Sequence, residues 1–142
     1  MAEMKVTVGG LKGKMQLTAK GHTDHELTID YFPPMGEDTG FTPLELVLAG
    51  LAGCSAHTIM FLLGKAGKKV DDIHVEAVGQ RREEHPTMIT HVELRISVKG
   101  QGLEKPIVER VIQAAEEKFC PVWAMLKTTV KITWTCEVGV SR

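Results

Sequence analysis

The chain has no Cys-x-x-Cys pair, so neither a zinc ribbon nor a thioredoxin-type redox motif can be built from its three cysteines. A P-loop, a dinucleotide fingerprint, a serine nucleophile elbow and a metalloprotease helix are missing too. Gly64-Lys65-Ala66-Gly67-Lys68 is only a helix end. Neither sign of charge is in excess. With 17 basic against 18 acidic residues and a net charge of −1, nothing draws the chain to nucleic acid or anionic lipid. The opening MAEMKVTVGG holds no apolar signal segment, and an odd cysteine count does not suit a secreted disulfide framework. These absences predict a cytoplasmic protein. No repeat, low-complexity tract or linker interrupts the 142 residues, so residues 1–142 read as a single domain.

What the chain does contain is one long apolar stretch, Thr42 to Leu63, TPLELVLAGLAGCSAHTIMFLL. Thr42 is an N-cap residue, Pro43 suits the first helical position, and Glu45 closes a Thr-x-x-Glu capping box. Beyond Glu45 only Ser55, His57 and Thr58 interrupt apolar or small side chains. A helix without a polar face is buried on all sides, in a core or in a membrane. The glycines at its middle and the central His57 argue against lipid. A domain of this size has little interior in which to surround such a helix, so a second subunit is expected to complete its cover. Ala49/Gly53, Gly50/Cys54 and Ala52/Ala56 are small residues spaced by four, which lets another backbone approach.

The flanks read as strands and one further helix. Val6 and Val8, then Met15, Leu17 and Ala19, then Leu27, Ile29 and Tyr31 alternate as a three-stranded meander, with a turn at Gly21-His22-Thr23-Asp24. FPPMGEDTG is a loop. Ile73 to Ala77 and Met88 to Val98 form a strand pair around GQRREEHPT. A half-exposed helix starts at Pro106 and breaks at Cys120-Pro121. A short turn, PVWAMLK, leads to a last strand with Val130, Ile132, Trp134, Cys136 and Val138 on one face. The order is βββ-α-ββ-α-β, an α+β fold.

The cysteines are not equivalent. Cys136 lies on a strand's apolar face and reads as a small core residue. Cys120 precedes Pro121 and falls at the N-cap of a new helical turn, where unpaired N–H groups favour a thiolate. Cys54 is either a small residue that lets helices cross or a functional thiol. His57 follows it by one turn. It is a base for Cys54, a metal ligand together with Cys54 and Cys120, or a core histidine bonded to a carbonyl. Arg81-Arg82-Glu83-Glu84-His85-Pro86 is a solvated turn, or the source of an arginine that steadies a thiolate or an anionic leaving group.

TPLELVLAGLAGCSAHT around Cys54, FCPVWAML around Cys120 and the element order together resemble the OsmC/Ohr family of thiol-dependent hydroperoxide reductases, over nearly the whole chain. GQRREEHPTMITHVEL is similar to a stretch of the less-characterised OsmC-like branch. The resemblance implies an intertwined homodimer whose long central helices cross in the core. It also implies a two-cysteine cycle that reduces organic hydroperoxides in oxidative or osmotic stress. Cys54 would be the peroxidatic thiol and Cys120 the resolving one, with an external dithiol, in the family a lipoylated protein, as reductant. No cofactor or metal is implied. Family peroxidases hold the thiolate with an arginine from the N-terminal strands and a glutamate near the start of the helix. This chain has no arginine before Arg81 and carries Leu44 where that glutamate stands. Glu45, His57, Arg81 and Arg82 are therefore secondary candidates. The alternative function is a non-catalytic module that binds a small molecule at the dimer pocket.

Overall fold

The computed structural model describes residues 2–140. The chain divides between Val47 and Leu48 into two compact units. The first holds the expected meander: β1 (Thr7–Lys12), β2 (Gln16–Lys20) and β3 (Glu26–Ile29), antiparallel in the order β1-β2-β3. Gly13 turns the chain between β1 and β2 at φ +57°, and a Cβ there would collide with the Glu37 carboxylate. The loop after β3 is gathered by one side chain. Asp30 accepts hydrogen bonds from the backbone N–H groups of Tyr31 (2.8 Å), Glu37 (3.3 Å) and Thr39 (3.1 Å) and from the Thr39 hydroxyl. Led by that hydroxyl, these donors hold the carboxyl at about 2 against the pull of burial.

The central helix α1 (Pro43–Lys65) starts at the capping box read from the sequence. Thr42 N–H donates to Glu45 Oε1 at 2.9 Å, and Glu45 N–H donates to Thr42 Oγ1 at 3.3 Å. By length and composition α1 could cross a membrane, a test that core helices of soluble proteins also pass.

In the second unit follow β4 (Asp72–Arg81), β5 (Ile89–Lys99), α2 (Lys105–Ala114), a π turn (Ala115–Phe119), α3 (Pro121–Leu126) and β6 (Lys131–Gly139). Strand β5 is central, antiparallel to β4 and parallel to β6. The alternation of β5 decides which face is inner. Val92, Leu94, Ile96 and Val98 are all buried. Their neighbours in register continue the rows: Gly79 and Ile132, Ala77 and Trp134, Val75 and Cys136, Ile73 and Val138. Each large side chain fully buried here contributes roughly 1.5–3 kcal/mol before the entropy of ordering it is subtracted. Helix α1 also buries one stripe, Leu51, Ser55, Ile59 and Leu63, spaced by four. Leu48 reaches the sheet at Gly79, where both its Cδ atoms lie 3.3 Å from the position a Cβ would take.

Within one chain helix α1 is left partly uncovered, as its expected second-subunit cover implies: Val47, Gly50, Gly53, His57, Phe61 and Gly64 form an exposed stripe. One expectation needs correcting. The segment PVWAMLK is not a turn but contains a six-residue helix, α3. Its Pro121 fixes the first helical φ, and its Trp123 is fully buried, which anchors a helix too short to persist alone.

Candidate active site

Cys54 lies at the middle of α1 and is half-buried. Cys120 sits where the π turn ends. Its N–H donates back to Ala115 O at 2.9 Å, then its backbone opens to an extended conformation, as the following proline demands. It is thus the N-cap of α3, and its sulfur accepts from Trp123 N–H at 3.5 Å. The two thiols, far apart in the chain, come close enough to act on one another. Both are free, Cys120 with 1% of its surface exposed.

The N-cap position predicts a favoured Cys120 thiolate, and the balance goes the other way. Burial pushes the thiol up, and the neighbouring Cys54 adds to that rise. The Trp123 N–H acts downward without overcoming it. One backbone donor does not replace the water that a buried thiolate loses.

Ser55 escaped the sequence reading. It is fully buried, and its Oγ meets no hydrogen-bond partner. An orphan buried hydroxyl costs about 1–3 kcal/mol. The signal was present in the spacing, since Ser55 is the one polar member of the stripe Leu51, Ser55, Ile59, Leu63.

The other candidates are placed elsewhere. Cys136 is buried on the inner face of β6, and burial raises its pKa. Glu45 is occupied in the capping box of α1. His57 is exposed within the single chain, one turn beyond Cys54, on the stripe with Gly50, Gly53 and Phe61. Arg81 and Arg82 brace the β4–β5 turn. Arg81 Nε donates to Thr87 O at 2.8 Å and its guanidinium also reaches the Thr87 hydroxyl, while Arg82 Nε donates to Pro86 O at 2.7 Å. The structure thus brings together Cys54, Ser55, Cys120 and Trp123, and leaves the two arginines in the hairpin. Among the described residues no three His, Cys, Asp or Glu side chains converge as metal ligands.

The sequence profile of the family described as OsmC-like protein matches residues 36–135. Protein YhfA of Escherichia coli K12 is 38% identical over 101 residues, which span 71% of this chain and 75% of that protein. Among solved structures, a hypothetical protein from Aquifex aeolicus VF5 superposes with a TM-score of 0.86 at 27% identity, covering 100% of both chains. The organic hydroperoxide resistance protein OhrB of Bacillus subtilis shares the fold, with a TM-score of 0.65 at 18% identity over 96% of this chain and 98% of its own.

Proposed function

The chain belongs to the OsmC-like protein family, and on that premise we propose that it reduces organic hydroperoxides by a two-cysteine cycle, in protection against oxidative or osmotic stress. The observation that carries this reading is the pair itself: a half-buried Cys54 facing a buried Cys120. The resistance to organic hydroperoxides named for the Bacillus relative of the same fold supports the substrate class.

In the proposed cycle the Cys54 thiolate attacks the distal oxygen of the hydroperoxide. The O–O bond breaks, the alcohol leaves after taking a proton, and Cys54 becomes a sulfenic acid. The Cys120 sulfur attacks the sulfenic sulfur, forming an S–S bond as hydroxide departs with the Cys120 proton as water. An external dithiol, such as a lipoylated protein, restores both thiols. His57 is the candidate base for Cys54. The cycle would run in a cytoplasmic homodimer. The exposed stripe of α1, with open space at Gly50, Gly53 and Gly64, is where the helix of a second copy would cross.

One observation favours the second reading, a non-catalytic small-molecule module. Both candidate arginines are spent on a turn, so neither is drawn on to activate Cys54 within its own chain. Stopped-flow thiol titration with cumene hydroperoxide and hydrogen peroxide separates the two. A peroxidase loses two thiols per equivalent of hydroperoxide in wild type, and in Cys120→Ser it stalls at sulfenic acid. Loss no faster than from free cysteine would leave only the binding module.

A further inference from the structure

The buried side of α2 runs through Val108, Ile112 and Ala115, spaced by four and three as an α-helix requires. The next residue in that register is Phe119. Phe119 is instead 53% exposed within the chain, and Cys120 is taken inward with 1% of its surface exposed. In an α-helix a residue five places after Ala115 would point about 140° away from it. The π turn, Ala115–Phe119, removes that offset. It winds one residue more than an α turn, and Cys120 N–H donates to Ala115 O at 2.9 Å.

Burial of apolar area alone favours the other register, since phenylalanine has more of it to hide than cysteine. What holds the wide turn lies after it. Pro121 keeps Cys120 extended and ends the helix at Phe119. Trp123 is fully buried and fixes α3, where Ala124 N–H donates to Cys120 O at 3.0 Å and Trp123 N–H to Cys120 Sγ at 3.5 Å. From the far end of α3, Lys127 Nζ returns to donate to Glu116 O at 3.2 Å, a carbonyl inside the π turn.

Resting on the two-cysteine reading, we propose that this turn selects the resolving thiol: its extra residue brings Cys120 rather than Phe119 to the inner side, and Lys127 is a positioning residue that keeps the turn wide. In the resolving step the Cys120 sulfur bonds to the sulfenic sulfur of Cys54, and hydroxide leaves with the Cys120 proton as water. That step needs the thiol held in one orientation. Relaxation to the α register would exchange the two neighbours, Phe119 inward and Cys120 outward, and the resolving thiol would be offered to solvent.

Cysteine labelling of the reduced, full-length protein reads the register. Cys120 meets iodoacetamide only when the turn opens. Lys127→Met keeps the side chain's length and loses the donor. It should speed alkylation of Cys120 about two- to tenfold, the effect of one hydrogen bond, while Cys136, buried on β6, keeps its wild-type rate. Lys127→Arg should restore the protection. No acceleration would overturn the proposal, and so would equal acceleration at both cysteines, which marks a general loss of stability. The double substitution Phe119→Cys/Cys120→Ala moves the thiol by one place. Equilibrated with glutathione disulfide, the wild type should link Cys54 to Cys120, whereas position 119 should carry glutathione and form no link to Cys54. A link from position 119 as extensive as the wild-type one would show that the turn does not choose, and a wild type without its link would also sink the idea. Neither experiment uses a hydroperoxide. If both give the expected result and cumene hydroperoxide consumes thiols no faster than free cysteine, the peroxidase function fails and the positioning of Cys120 stands.

Discussion

Asp30 and Cys120 are both withdrawn from solvent, 3% and 1% exposed, and both accept hydrogen bonds, yet their pKa values move in opposite directions. The number and kind of donors decide. Asp30 collects three backbone N–H groups and a hydroxyl, enough to outweigh lost hydration, whereas the soft, weakly accepting Cys120 sulfur has the Trp123 N–H. The sign for stability follows. A carboxylate held below its unfolded value contributes stability that is complete above the unfolded pKa and is lost as pH falls through the folded one. Thermal unfolding of the wild type should therefore lose stability between about pH 4 and about pH 2 through Asp30. Asp30→Asn should be less stable at neutral pH and show a flatter acid limb. An acid limb identical in both proteins would show that this loop does not depend on the charge.

At the scale of elements, the contact between α1 and the sheet rests on a missing side chain. Gly79 lies in an inner row with Val92 and Ile132, and a Cβ there would sit 3.3 Å from both Leu48 methyls, tighter than an ordinary contact. Gly79→Val should destabilise the protein by about 1–3 kcal/mol in urea unfolding through overpacking. Leu48→Ala in the same chain should return part of that loss, and strict additivity of the two substitutions would count against the contact. Periodicity made most elements legible beforehand: the meander, the capping box at Thr42 and Glu45, the alternation of β5 and the break at Cys120-Pro121. What stayed hidden depended on partners distant in sequence. Helix α3 is held by the burial of Trp123, which no local pattern announces. The direction of the Cys120 pKa was set by burial rather than by its N-cap, and Ser55 passed unnoticed because a small residue among Gly and Ala suggested only close packing. The family resemblance singled out Cys54 and Cys120, which the fold brings near one another; the absence of an early arginine was legible too, but not where Arg81 and Arg82 would be engaged.

For the whole molecule, the apolar side chains left outside are as informative as the core. In the first unit Val6, Val8 and Leu11 around β1 are exposed, and in the second Phe61 on α1 is 62% exposed, large apolar side chains that a partner surface would cover. If a second copy covers the α1 stripe, sedimentation of the wild type should show a dimer that persists until unfolding begins. Phe61→Glu should shift it to a monomer or to unfolded chain. A monodisperse, stable wild-type monomer would exclude the homodimer. The parallel pairing of β5 with β6 has a consequence in time rather than in space. Such strands cannot be joined by a tight turn, and here the crossover between them is the segment that carries Cys120. Contacts that close long loops form late and slowly. The Cys54–Cys120 contact also closes a long stretch of chain, so by the same argument it belongs among the later contacts of folding. Until it forms, each of the two thiols is without the other.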